Sequence, residues 1–253
     1  MSGRLRRRGA CGDRGTTLTE LNVTMIVMAV VVAAAASLII GFSRSNAMNV
    51  ARQEQIDTAR FAVESVSKAL RTAVKPAQVS PNCASCTEDA FLRGGNYSVA
   101  FYANLNNSGG SVGPSRVTYT VPTTGSNAGK LIETIQRPDT NVPTAGGYQY
   151  CNATAAGAPQ ACRDRYTWRI LAEGVLMDGA PLFRYYTRSS STPLTVPAGT
   201  ELTGAQLSQV IAIEIHINVQ EPAATRADPT TYVQRVALPN VQALLRPQEE
   251  TTP

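Results

Sequence analysis

The chain has 253 residues, 43% hydrophobic and only 16% charged, which excludes an intrinsically disordered protein and a Lys/Glu-rich surface of the cytosolic kind. Its net charge of +5 is concentrated at one end: Arg4, Arg6, Arg7, Arg8 and Arg14 face one acid, Asp13, and the other 238 residues hold 18 basic and 17 acidic side chains. A global electrostatic case for nucleic-acid binding is thereby excluded, and with a single histidine, His216, so is any mechanism needing two.

Residues 21–42 carry no charge and only three clearly polar side chains, Asn22, Thr24 and Ser37. At about 1.5 Å per residue one helix over this stretch crosses a hydrocarbon core of roughly 30 Å. The arginines before it predict a cytoplasmic N-terminus, with everything after residue 42 outside the cytoplasmic membrane. The main rival is a secretory signal peptide. Against it, the apolar run is about twice the usual length and a long helical pattern follows it in place of a small-residue cleavage site. Cys11 precedes the run, which removes a lipoprotein reading.

Directly ahead of the apolar run stands Gly15-Thr16-Thr17-Leu18-Thr19-Glu20. This order, Gly-x-Thr-Leu-x-Glu, resembles the processing site of type IV prepilins and pseudopilins. The resemblance implies that residues 1–15 are a cytoplasmic leader, cut off after Gly15 by a prepilin peptidase. It also implies that Thr16 becomes a new, usually N-methylated, N-terminus and that Glu20 sets axial register by pairing with the amine of a neighbouring subunit. A carboxylate there has its own physical rationale, since it lies near the positive end of the helix dipole and needs a partner in lipid. The family usually carries an aromatic residue where Thr16 stands and an aliphatic one where Thr19 stands; both are polar here.

The helical pattern continues over 43–75. Ile56, Ala59, Val63, Val66, Leu70 and Val74 form one apolar stripe, and Pro76 predicts the stop. From residue 80 the texture turns to short alternating runs between Gly, Ser, Asn and Pro clusters, predicting strands over 97–102, 116–121, 131–136, 166–171, 182–187, 210–219 and 231–238. In 210–219, Ile211, Ile213, Ile215, Ile217 and Val219 share one face, and Ala212, Glu214, His216 and Asn218 the other. The expected fold is α+β: a long N-terminal helix whose amphipathic half packs on one antiparallel sheet in a head domain over 76–245. Residues 103–115 and 188–208 read as flexible loops and 246–253 as a disordered tail. The rhythm of 116–240 loosely resembles PilW-type minor pilins and the larger minor pseudopilins of type II secretion.

Four cysteines fall in the exported part, Cys83, Cys86, Cys151 and Cys162. An even count there predicts two disulfides. Of three pairings, Cys83 with Cys86 and Cys151 with Cys162 are favoured, because each pair brackets a short loop of small residues. A thioredoxin-like pair and a four-cysteine zinc site are the alternatives; the first lacks a strand-to-helix context and the second lacks two tight pairs. His216 reads as a surface residue of its strand. Asn96-Tyr97-Ser98 and Asn152-Ala153-Thr154 match a glycosylation pattern that is frequent by chance. Tyr97, Tyr102, Tyr119, Tyr148, Tyr150, Tyr185 and Tyr186 are read as packing in the sheet, with an adhesive or base-stacking surface as the alternative.

No nucleophile elbow, phosphate loop or metal motif occurs, so no catalytic residue, cofactor or metal is expected. The resemblance implies a non-catalytic pilus or pseudopilus subunit. Its partners would be the prepilin peptidase, other pilin subunits, the assembly platform and the cytoplasmic membrane, with nucleic acid as a partner only for a competence pilin. A tip subunit binding DNA or a surface, and a membrane-anchored exported domain of other function, are the competing readings.

Overall fold

The computed structural model describes residues 17–79, 83, 86, 88–105, 107, 112–144, 147–220 and 228–241. The expected leader over 1–15 and the expected tail over 246–253 lie outside them. The chain divides into two compact units, Met1–Asn49 and Val50–Pro253. Helix α1 (Leu18–Arg71) contributes to both.

In the second unit, α1 buries Gln55, Ala59, Ala62, Val63, Val66, Ser67, Ala69 and Leu70. The apolar stripe is therefore where the spacing puts it, except at its start. Ile56 is 37% exposed and Gln55 is 1% exposed. Thr230 donates its hydroxyl to Gln55 Oε1 at 3.1 Å, so the amide is satisfied inside and the next residue, about 100° around the helix, turns outward. The helix also stops before Val74. The main chain of Ala73 bridges Ala103, and Val74 N donates to Tyr102 O at 2.9 Å, so these residues complete a sheet in place of a last helical turn. Pro76 opens the short helix α2 (Pro76–Val79), where its missing N–H costs nothing.

Eight antiparallel strands follow among the described residues. They are β1 (Phe91–Gly94), β2 (Ser98–Ala103), β3 (Ser115–Thr120), β4 (Leu131–Gln136), β5 (Tyr166–Ala172), β6 (Phe183–Thr187), β7 (Val210–Val219) and β8 (Thr230–Ala237). They form two sheets, not the single one expected: a five-stranded meander in the order β1-β2-β3-β4-β5 and a three-stranded one in the order β6-β7-β8. The break comes after β5, in a segment with glycines at positive φ, Gly174 (68°) and Gly179 (95°), which turns the chain out of the first sheet. Val175 N donates to Gly129 O on one side, and Leu176 N to Asn218 O on the other, so this connector ties both sheets. The inward faces, including Val99, Phe101, Val117, Tyr119 and Leu131 of the first sheet and Phe183, Ile213, Ile215 and Ile217 of the second, share one hydrophobic core with the buried face of α1. That makes the architecture α+β.

The inner face of the larger sheet also carries one acid. Glu133, 4% exposed, accepts from the Tyr119 hydroxyl at 2.7 Å and pairs with Arg169. The pairing follows from register, since Tyr119, Glu133 and Arg169 are cross-strand neighbours. Burial drives the Tyr119 phenol well above the usual tyrosine range, and the adjacent Glu133 carboxylate adds to it.

Residues 188–208, expected as a flexible loop, are held to the structure. Leu194 N donates to Tyr185 O and Leu202 N to Gly94 O, both at 2.8 Å, and Arg93 pairs with Glu201. The segment contains helix α4 (Gly204–Leu207), begun by a capping box in which Thr203 and Gln206 bond reciprocally. Leu202 and Leu207 are buried. Of 103–115, Ala103 belongs to β2 and Ser115 to β3. Strand β1 has no counterpart among the expected strands.

Cys83 is bonded to Cys86 and Cys151 to Cys162. The second bridge closes a separation of 11 residues ahead of and into the short helix α3 (Gln160–Arg163). Replacing both Cys151 and Cys162 by Ser is expected to destabilise the head by about 3 kcal/mol through regained chain entropy, against about 2 kcal/mol for the tighter Cys83–Cys86 loop. Urea unfolding of the two double variants tests the ranking; equal midpoints would contradict it.

Candidate functional site

The first unit places the start of the apolar helix. Thr17 is its cap: Glu20 N donates to Thr17 Oγ1 at 3.3 Å and Leu21 N to Thr17 O at 3.1 Å. A hydroxyl at this position satisfies one of the unpaired N–H groups of the first turn, and Thr17-x-x-Glu20 has the capping-box order. Leu18 is the first helical residue and 78% exposed. Glu20 lies in the first turn, where a negative charge is favoured by the helix dipole. It has no ion-pair partner among the described residues. Gly15 and Thr16 lie outside the described residues, so of the five processing positions the structure places Thr17, Leu18 and Glu20.

Beyond the cap, apolar side chains are exposed on every side. Four successive residues, Met25, Ile26, Val27 and Met28, are each between 56% and 65% exposed. A surface helix of a water-soluble protein would alternate. The polar residues are turned back on the helix itself: Thr24 donates to Leu21 O at 2.8 Å and Ser37 to Ala34 O at 2.7 Å, which removes free hydroxyl donors from an apolar surrounding. Among the described residues this is one helix long and apolar enough to cross a membrane.

In the second unit the outward face of the five-stranded sheet is the other surface of interest. Register places Tyr102, Arg116, Gln136 and Tyr166 in one row across four strands, and Ala100, Thr118, Thr134 and Trp168 in the next. Gln136 is the hub of the first row. It accepts from Arg116 Nη2 at 2.6 Å and donates to the Cys151 carbonyl at 2.5 Å. Arg116 lies 5.0 Å over the Tyr150 ring, a cation–π distance, and the Tyr150 hydroxyl donates to Pro114 O at 2.6 Å. Burial pushes the Tyr150 phenol up, and burial together with Glu88 does the same to Tyr102, so both act as neutral donors.

Of the seven tyrosines singled out in the sequence, Tyr102, Tyr119, Tyr148, Tyr185 and Tyr186 are buried, and Tyr97 and Tyr150 are half-buried. On the described strands the exposed aromatic is Trp168, at 57%; Phe42 and Phe61, also exposed, belong to α1. Period two sets Trp168 on the face opposite Leu171, but its companions there, Tyr166 and Ile170, are apolar too, so the sequence pattern did not mark it as exposed. His216 lies on the outward face of β7, half-buried and opposite Val233. On the same face Glu214 is taken up by Arg184 at 3.4 Å and Arg235 at 3.0 Å. Among the described residues no three or more His, Cys, Asp or Glu gather as metal ligands.

No family model, curated relative or solved structure matches the chain. Composition and geometry are therefore what bear on function, and they establish an α+β chain with a membrane-length apolar helix and two disulfides.

Proposed function

We propose that the chain is a minor pilin or pseudopilin, a non-catalytic subunit cut after Gly15 and assembled through its N-terminal helix into a type IV pilus or a type II secretion pseudopilus. The observation that carries this reading is α1. It runs from Leu18 to Arg71 as one helix, exposed throughout its first unit with an uncharged apolar stretch over 21–42, and burying one face in the head's core in its second. An ordinary anchor needs only about 20 apolar residues and gains nothing from being continuous with the core helix of the domain it tethers. A subunit that transmits its position through a shared helical bundle needs that continuity. The Gly-x-Thr-Leu-x-Glu order supports the same reading, as does the cap that Thr17 supplies immediately beyond the proposed cut.

In this reading the N-terminus faces the cytoplasm and the head the extracytoplasmic space, which accords with the two disulfides. The peptidase, other pilin subunits and the assembly platform are the partners, and the pilin-like fold is the architecture. Mass spectrometry of the N-terminus, in normal cells and in cells lacking the prepilin peptidase, tests it. The expected result is a chain beginning at Thr16 only where the peptidase is present. A chain beginning before Gly15 in both would overturn the reading and leave an anchored domain.

A further inference from the structure

The outward row of the larger sheet ends in an open cleft of about 380 Å³, lined by Arg116, Gln136, Tyr150, Asn152, Thr154 and Tyr166 among others. Its volume lies within the usual range of small-ligand clefts, about 300–1,000 Å³. Arg116 is its cation. The side chain is fixed from two sides, by Gln136 and by the Tyr150 ring, yet no carboxylate among the described residues pairs with it. Among the described residues, one of its five N–H donors has a side-chain partner. A guanidinium held rigid but uncompensated is prepared for a planar, two-oxygen acceptor.

Apart from Arg116 the described lining is uncharged and rich in hydrogen-bonding groups; the Glu88 carboxylate nearby is taken up by the Tyr102 hydroxyl. Asn152 and Thr154 are exposed at the rim, and the Cys151–Cys162 bridge pins the loop that carries them. Tyr166 forms the wall, and Trp168 stands two residues further along β5 on the same face, about 6.6–6.8 Å away. An exposed indole beside a polar, singly charged cleft suits a ring with one apolar face and several hydroxyls. A nucleic-acid strand would call for several cations in a line, and among the described residues Arg116 is the one cation lining this cleft.

We infer that this cleft binds an acidic sugar unit of a polysaccharide, a uronate-type residue whose carboxylate pairs with Arg116 while an adjoining pyranose face packs on Tyr166 and Trp168. The hydroxyls meet Asn152 and Thr154. Gln136 is a positioning residue: it holds the guanidinium in place and does not reach the sugar. The inference rests on the pilin reading only for its setting outside the cell. It would make the subunit an adhesive one for acidic extracellular or capsular glycans.

The test uses the purified full chain in detergent micelles, so it does not depend on processing or filament assembly, and the N-terminal measurement above can fail or succeed independently. Tetragalacturonate is titrated against its fully methyl-esterified form, which keeps every sugar configuration and linkage and removes the charge, and against an oligothymidylate of similar charge. The expected result is binding of tetragalacturonate that weakens with salt, with the methyl ester at least about tenfold weaker, as loss of a charged hydrogen bond predicts. Arg116→Gln and Trp168→Ala should each weaken tetragalacturonate about tenfold, and Val233→Ala on the other sheet should leave it unchanged. Arg116→Lys, which keeps the charge without the fork, should recover only part of the affinity. Trp168 is exposed, so its variant decides even if Arg116→Gln does not fold. No binding by the folded wild type, equal binding of both sugars, preference for the oligothymidylate, or an unaffected Trp168→Ala would each overturn the assignment.

Discussion

Glu20→Gln should leave the chain cleaved at Gly15 and embedded in the membrane but nearly absent from sheared filaments. Glu20 lies in the first turn of α1, exposed and without an ion-pair partner among the described residues. At the middle of a bilayer an isolated carboxylate costs about 2.5–3.5 kcal/mol on insertion scales; near the helix start the cost is smaller, but a filament interior offers no headgroup water to relieve it. The pilin reading supplies the partner, the amine that cleavage creates at Thr16 of a neighbouring subunit. The amide keeps size and polarity and removes the charge, so the effect isolates the ion pair. Thr17→Ala tests helix integrity, with cleavage at Gly15 checked in the same blots because Thr17 belongs to the processing motif. It removes the hydroxyl that accepts from Glu20 N, costs about 1 kcal/mol of local helix stability and should leave incorporation within about twofold, because one frayed turn is restored by packing. Immunoblots of sheared and membrane fractions distinguish the cases. Normal incorporation of Glu20→Gln would reduce Glu20 to a helix-start acid facing headgroups.

Seven of the eight strands are legible in the sequence to within about a residue, because each is a short β-branched and aromatic run between Gly, Pro, Ser and Asn clusters; β3, β7 and β8 also alternate in burial, and β7, with Ile213, Ile215, Ile217 and Val219 all buried, is the clearest. Strand β1 was not legible. It has four residues in the burial pattern buried, exposed, exposed, buried, and a bulge between Phe91 and Arg93 interrupts even that alternation. The division into two sheets was hidden for a different reason. Period-two patterns say which side of a strand is wet, not which strand it pairs with, and here the decision lies in the connector through Gly174, Val175 and Gly179. The capping box of α4 was present as Thr203-x-x-Gln206, but the Pro- and Thr-rich stretch before it reads as loop. Of the candidate sites, the N-terminal motif is a sequence signal entirely. The Arg116 cleft is the reverse: Arg116, Gln136, Asn152 and Tyr166 come from three strands and a disulfide-closed loop, and only strand register brings them together.

Tyr185→Ala is expected to cost the head about 3–5 kcal/mol, the range for deleting a large buried side chain, and to loosen the smaller sheet first. Tyr185 is 0% exposed and belongs to β6, yet its hydroxyl reaches the β1–β2 turn of the other sheet, shared between Gly95 O at 2.9 Å and Ser98 O at 3.1 Å. Burial holds this phenol protonated, far above the usual tyrosine range. Around it the same turn is tied three more times: Phe183 N donates to Asn96 O, the Tyr97 hydroxyl to Ala180 O, and Asn96 Nδ2 to Val196 O. The ring fits because Gly94 has no side chain. A Cβ there would lie 2.8 Å from Leu207 Cδ2 and 3.2 Å from two carbons of the Tyr185 ring, so Gly94→Val should be destabilising as well. Tyr185→Phe keeps the ring and removes only the shared donor; about 1–2 kcal/mol is expected, since Ser98 O still accepts from Gly95 N at 2.8 Å. Urea midpoints give the totals, and hydrogen exchange gives the order. In Tyr185→Ala, amides of β6, β7 and β8 should lose protection before those of β2, β3 and β4, because the smaller sheet has lost its largest hold on the larger one. Simultaneous loss across both sheets, or a cost below about 1 kcal/mol for Tyr185→Ala, would place the coupling in the Val175 connector and the α1 core instead.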